Sequence, residues 1–253
     1  MISNELYIIQ YTIFYILYHS RMTTKSYTIK YLFKDIDSII PTTTNNNPLI
    51  KPKIEIINGD CFQVAKLYNS SDVIIHNFAN NKYQGGPCSK FTEDGKYISS
   101  EIWSNTQEDQ IIRLYKDKII LPKSMYPICD NSLLPGNEGL LYSFCDNLPN
   151  VITIAALQDP NYIKKQERQT MINRIKLILA VCAKYNKVLI TGLWGCGAFG
   201  GKPTELVDLW YDALADKNIP KPQNIIFAIK IDNFSHKWGS FEDMQKIFKK
   251  IMN

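Results

Sequence analysis

Residues 188–203, VLITGLWGCGAFGGKP, constrain the fold more than any other stretch of the chain. The run opens with four apolar or β-branched residues, Val188 to Thr191, the pattern of a buried strand. Gly192, Gly195, Gly197 and Gly200 follow within nine residues, with Gly201 behind them. Pro203 then precedes a helical pattern carried by Leu206, Val207, Leu209, Trp210 and Leu214. A strand, a glycine-rich loop and a helix N-terminus make an anion site, because glycine lets the backbone turn tightly and approach a ligand. Loop and helix-start N–H groups then point at the anion. The spacing is neither a dinucleotide fingerprint nor a P-loop: no G-x-G-x-x-G follows the strand, and Lys202 is followed by proline. Trp194 and Phe199 lie between the glycines, where the pattern gives no core reason for them, and suit a ligand with a flat ring or sugar face.

The length allows one large domain or a domain plus appendages. With 45% hydrophobic and 21% charged residues and a net charge of +5, the chain is an ordinary globular one. Its charges are interspersed and no basic block demands nucleic acid. Cys61, Cys88, Cys129, Cys145, Cys182 and Cys196 form no C-x-x-C pair, and the three histidines are widely spaced. Structural zinc is therefore not expected, and the thiols fit a reducing, intracellular compartment, cytoplasmic or nuclear. The apolar run over residues 6–18 is too short for a membrane span and lacks the flanks of a signal peptide. Met22 makes the first 21 residues a candidate dispensable extension, and the polar loop over residues 41–48 closes an N-terminal extension, 1–50, of unassigned role.

Beyond it, strands are expected over residues 54–57, 72–76, 125–129, 140–144, 151–155 and 224–231, with another over residues 27–33 in the extension. Helices are expected over 107–120, 168–184, 203–215 and 241–252, with a short one reaching residue 68. Thr106 is a candidate N-cap, and Glu108 and Asp109 in the first turn agree with the helix dipole. Alternating strands and helices with buried strands imply an α/β fold with a mixed sheet covered on both faces. Three loops then fall at strand C-terminal ends, where open α/β sheets bind ligands: Gly59-Asp60, residues 77–87, and residues 192–201. Asp60 suits an exocyclic amine or a helix N-cap; Asn77 and Asn80 suit ribose hydroxyls or turn positions.

I-x-I-x-x-G-D ending at Asp60, D-V-I-I-H-N-F-A-N ending at Asn80, and the run from Trp194 to Gly201 together resemble a macrodomain. More narrowly they are similar to the poly(ADP-ribose) glycohydrolase branch in its compact microbial form, over roughly residues 54–250. The resemblance implies a three-layer α/β/α macrodomain-like fold with a mixed central sheet over residues 51–253. It implies a ligand, ADP-ribose or an ADP-ribosylated protein or nucleic acid, and a glycosidic hydrolysis that needs neither metal nor cofactor. Gly195, Cys196, Gly197, Ala198, Phe199 and Gly200 would cradle the diphosphate, with Phe199 packed on the ligand and Trp194 beside it. Asp60 would read the adenine amine and Asn80 the distal ribose, with Asn77, Gly85, Gly86 and Gln107 completing the ligand set.

The chain departs from the family twice. Its glycine loop reads Gly85-Gly86-Pro87, and proline removes an N–H. Its Gln-Glu-Glu triplet reads Gln107-Glu108-Asp109, so Asp109 stands at the catalytic glutamate's position, with Glu108 as the alternative acid. Cleaving an O-glycosidic bond needs a group that protonates the leaving oxygen and then activates water. Aspartate is one methylene shorter, and a misplacement of about 1 Å can cost on the order of 100-fold. A non-catalytic ADP-ribose reader is the alternative expectation.

Overall fold

The computed structural model describes residues 26–39, 51–86, 88–100, 106–129, 136–231 and 236–252. In chain order the elements are β1 (Tyr27–Leu32), α1 (Ile36–Ile39), β2 (Lys53–Asn58), α2 (Cys61–Ala65), β3 (Val73–Phe78), β4 (Ser89–Phe91), β5 (Tyr97–Ser100) and α3 (Gln107–Tyr115). There follow β6 (Gly139–Phe144), β7 (Asn150–Ile154), α4 (Lys165–Lys184), β8 (Val188–Thr191), α5 (Pro203–Ala215), β9 (Asn224–Ile229) and α6 (Phe241–Met252). Seven strands form one sheet in the order β1-β6-β7-β3-β8-β9-β2. The strands from β7 to β2 are parallel, while β6 runs antiparallel to both β1 and β7. The sheet is therefore mixed, as expected.

The near-continuous apolar runs of β3, β7, β8 and β9 are buried, as parallel strands covered on both faces must be. Helix α4 presents Met171, Ile175, Ile178, Leu179 and Cys182 to the core at helical spacing. The aromatic stack Trp210–Phe227–Phe248 joins α5, β9 and α6. All six cysteines are free thiols, and Cys182 is fully buried. No helix among the described residues is long and apolar enough to cross a membrane.

Three expectations need correction. The boundary at residue 50 cuts through the fold: β1 pairs along its whole length with β6 and forms a sheet edge. The span expected as a strand over 125–129 is irregular. Its backbone is held by side chains instead: Asn81 bonds both the N–H and the carbonyl of Cys129, and Lys30 bonds the carbonyls of Met125 and Pro127. Helix α3 ends at Tyr115 rather than residue 120, because Lys116 takes a φ of 42°. Residues 6–18, Met22, the 41–48 loop, Pro87 and Trp103 lie outside the described residues.

Candidate functional site

All five parallel strands deliver their C-terminal ends to one edge of the sheet. Gly59-Asp60 leaves β2, residues 79–86 leave β3, Ala155 and Ala156 leave β7, and the glycine loop leaves β8. A cavity of about 770 Å³ lies at the opposite end, near Ser71, Asn150 and Lys187, which precede or begin parallel strands. Two of its polar side chains are already paired, Asn150 to the Tyr142 hydroxyl and Tyr185 to Tyr31. The edge where the predicted residues converge is therefore the stronger candidate site.

The glycine loop is folded by its own backbone. Trp194 N donates to Gly192 O at 2.8 Å, Cys196 N to Leu193 O at 3.1 Å, Gly200 N to Gly197 O at 3.2 Å and Gly201 N to Gly195 O at 2.9 Å. The amides of Gly197, Ala198 and Phe199 meet no acceptor among the described residues. Three consecutive N–H groups without acceptors in a turn form an anion-binding concavity. One of these glycines is required by shape and another is not. Gly195 sits at φ +81°, and a Cβ there would lie 2.9 Å from that of Ala156; Gly197 faces open space. Asp159 N bonds Phe199 O at 2.9 Å and Trp238 Nε1 bonds Cys196 O at 3.2 Å, so the loop is braced from both sides. Trp238 thus holds the loop, while Ser240 and Asp243 cap α6.

Within this loop the structure revises the expectation for Trp194. Its indole is 2% exposed and packs on the imidazole of His76 at 4.9 Å, so it is core and not a ligand platform. Cys196 is also buried, its thiol pushed up to about 12 by desolvation, and its amide is used within the turn, as is that of Gly200. Phe199 is half-buried beside the open amides. Asp60 caps α2: Oδ1 accepts from Phe62 N and Gln63 N at 2.9 and 2.8 Å, and Gln63 Oε1 answers Asp60 N. This capping box engages Oδ1 and not Oδ2.

Helix α3 is fastened to β3 by Gln107. Beyond the last β3–β8 pair, Ile75 with Ile190, β3 has backbone groups to satisfy. Gln107 Oε1 accepts from Phe78 N at 2.8 Å and its Nε2 donates to His76 O. Both ends of this carboxamide are engaged by backbone, so Gln107 positions the helix and does not reach for a ligand. The next residue, Glu108, is thereby delivered to the loop after β3. Its Oε2 accepts from Asn80 N at 2.9 Å, and a Cβ on Gly86, at φ +78°, would stand 3.2 Å from the same oxygen. Gly85, at φ +63°, has no room for a Cβ against Phe91 and Ile112. Asn80 Oδ1 closes an Asx turn onto the amides of Lys82 and Tyr83.

The two acids of α3 lie in different surroundings, although both are buried. Burial pushes Glu108 up to about 8, opposed by the Asn80 N–H and the Asn77 carboxamide and reinforced by the charge of Asp109. Asp109 forms an i,i+4 ion pair with Arg113 at 3.9 Å, and its N–H is capped by Thr106 Oγ1. His76, fully buried with Nδ1 on Thr191 Oγ1 at 2.9 Å, is lowered to about 3 by desolvation and stays neutral. Arg168 pairs with Asp212, whereas Arg174 is buried and donates to Ala155 O at 2.7 Å. Sequence reasoning missed Tyr126, whose buried hydroxyl lies within reach of the Glu108 charge. No motif marks it, because an irregular segment brings it there.

No protein-family model matches this chain, and no curated protein is significantly similar in sequence. Solved structures do match. The poly(ADP-ribose) glycohydrolase of Deinococcus radiodurans in complex with ADP-ribose is similar with a TM-score of 0.66 at 18% identity, over 89% of this chain and 95% of that one. Its apo form gives 0.61 at 15% identity over 89% and 94%. The glycohydrolase of Thermomonospora curvata gives 0.56 at 16% identity over 88% and 85%. At such identities the likeness is one of architecture: this chain has the mixed-sheet, macrodomain-like fold of the bacterial poly(ADP-ribose) glycohydrolases.

Proposed function

We propose that the protein binds ADP-ribose and hydrolyses the O-glycosidic bond that joins it to a polymer or to a modified protein or nucleic acid. One observation carries the reading. Three consecutive open amides, Gly197 to Phe199, share a sheet edge with a buried carboxyl, Glu108, that holds its proton near neutral pH. The amides supply the diphosphate site. In this reading Asp60 Oδ2 takes the adenine amine, and the Asn77–Gly86 segment the distal ribose.

In this reading Glu108 is the acid. It protonates the leaving oxygen as the C–O bond breaks and the distal ribose takes on oxocarbenium character. The resulting carboxylate then accepts a proton from the water that attacks the anomeric carbon, which restores the acid. Asn80 N–H steadies the charged form between the two steps. Asp109, tied to Arg113, sets the field around this acid.

Release of ADP-ribose from polymer, followed with wild type, Glu108→Gln and Asp109→Asn, tests the assignment. Loss of turnover in Glu108→Gln with ADP-ribose binding retained is expected. Turnover that survives Glu108→Gln but not Asp109→Asn moves the acid one residue on, to the position the family resemblance marks. No release by wild type, under conditions where ADP-ribose binds, leaves the reader, which the shorter acid at 109 favours.

A further inference from the structure

The cavity at the end of the sheet opposite the glycine loop holds two donors that its own residues leave unused. Its volume, about 770 Å³, lies within the range of small-molecule sites. Asn150 identifies the first donor. Asn150 Oδ1 accepts from Cys145 N at 3.2 Å, so Nδ2 is the atom that meets Tyr142 Oη at 2.8 Å. Tyr142 therefore accepts in that bond, and its own hydroxyl hydrogen meets no acceptor among the described residues. Burial raises the phenol and keeps this hydrogen on it. Lys187 is the second donor. Its ammonium carries three hydrogens, gives one to Ser71 O, and has no carboxylate partner among the described residues. No acidic side chain lines the cavity, and burial holds the Cys145 thiol there neutral.

A buried hydroxyl hydrogen without an acceptor is costly, and an unpaired ammonium on the same wall sets the polarity of the missing guest. It accepts hydrogen bonds and carries negative charge. The rest of the wall is apolar and stiff. The Tyr142 and Tyr185 rings stack at 4.1 Å, and Phe144 meets both edge-on at 4.6 and 5.3 Å. Phe144, Leu148 and Tyr185 are only half-buried, which leaves apolar surface for a flat ring. A bare inorganic anion leaves that surface wet. The site is also distinct from the diphosphate edge, because the whole of β8, Val188 to Thr191, separates Lys187 from the glycine loop.

We propose that this cavity is a second binding site, for a small anion carried on a planar apolar ring, with the carboxylate or phosphate held by Lys187 and Tyr142 and the ring against Phe144 and Tyr185. It does not depend on the ADP-ribose reading. An NMR titration of the 15N-labelled protein with benzoate, phenyl phosphate and benzylamine, each with and without excess ADP-ribose, tests it. Benzoate or phenyl phosphate is expected to shift the amides of residues 145–150 and to leave those of the glycine loop unmoved, and the tighter of the two names the anion. Lys187→Gln, which keeps a donor for Ser71 O, is expected to weaken that binding about tenfold, and Tyr142→Phe about fivefold. Tyr142→Phe also strips Asn150 Nδ2 of its acceptor, so Lys187→Gln carries the test should the other variant not fold. No shift with either anion, benzylamine bound as tightly as the anions, unchanged affinity in Lys187→Gln, or displacement by ADP-ribose each overturns the proposal.

Discussion

Glu108→Gln should stabilise the unliganded protein, and the gain should depend on pH. In the unfolded chain a glutamate titrates near 4.5, whereas burial holds Glu108 at about 8. Between those values the folded protein keeps a proton that the unfolded chain has given up. Folding stability therefore falls as pH rises through this window, and the loss is complete above pH 8. At about 1.4 kcal/mol per pH unit the limit is about 5 kcal/mol. Water entry at a loop-lined site reduces it, so about 2–3 kcal/mol is the working expectation. Glutamine keeps an oxygen for Asn80 N–H and has no charge to desolvate. Thermal melting of both proteins from pH 5 to pH 9, without nucleotide, reads the difference. The curves should nearly coincide at pH 5 and separate by roughly 5–10 °C at pH 9, given about 2–4 °C per kcal/mol for a chain of this size. Asp109, paired with Arg113, and Tyr126 are the charged and titratable groups coupled to this carboxyl, and they are unchanged between the two proteins. A separation that stays constant with pH would show that Glu108 does not carry the raised acid, and the catalytic assignment would lose its basis.

The glycine loop should discriminate between two like substitutions. Gly195→Ala meets both a left-handed φ and Ala156, and should lower stability by about 1–3 kcal/mol, whereas Gly197→Ala should melt like wild type but lose ADP-ribose affinity by calorimetry, because its methyl enters the space above the open amides. Asp60→Asn should keep the α2 cap and melt normally while weakening adenine-containing ligands, and Asp60→Ala should in addition cost about 1 kcal/mol of cap in a urea titration. His76, held neutral at about 3 against 6.5 when unfolded, should draw stability down as pH falls below 6.5, so the urea midpoint should drop less between pH 7 and 4.5 in His76→Gln than in wild type. The optimum for polymer cleavage should lie below pH 8 and the rate should fall above it as Glu108 loses its proton, a limb visible in a pH profile of kcat/KM.

Local pattern made much of this fold readable, and its failures share one cause. Strands β3, β7, β8 and β9 were visible because a strand buried on both faces must be apolar throughout, and α6 because its apolar residues keep a helical period. What the pattern does not carry is which distant groups meet. The β1–β6 pairing joins residues more than a hundred positions apart, so β1 read as an appendage. Trp194 sits among glycines, which suggested exposure, yet the preceding turn rotates its ring onto His76. The acid is the sharpest case. Glu108 and Asp109 are neighbours in one helical turn, about 100° apart in direction, and composition cannot say which faces the ligand edge. Gln107 decides it, by fastening α3 to the end of β3 on the side where its pairing with β8 has stopped, and so aiming Glu108 at Asn80 and Gly86. A glutamine that looked like a ligand contact thus sets the direction of the acid. Its loss should be felt as misplacement: Gln107→Ala is expected to shift the cleavage profile of Glu108 along the pH axis, with the diphosphate loop and its affinity for ADP intact.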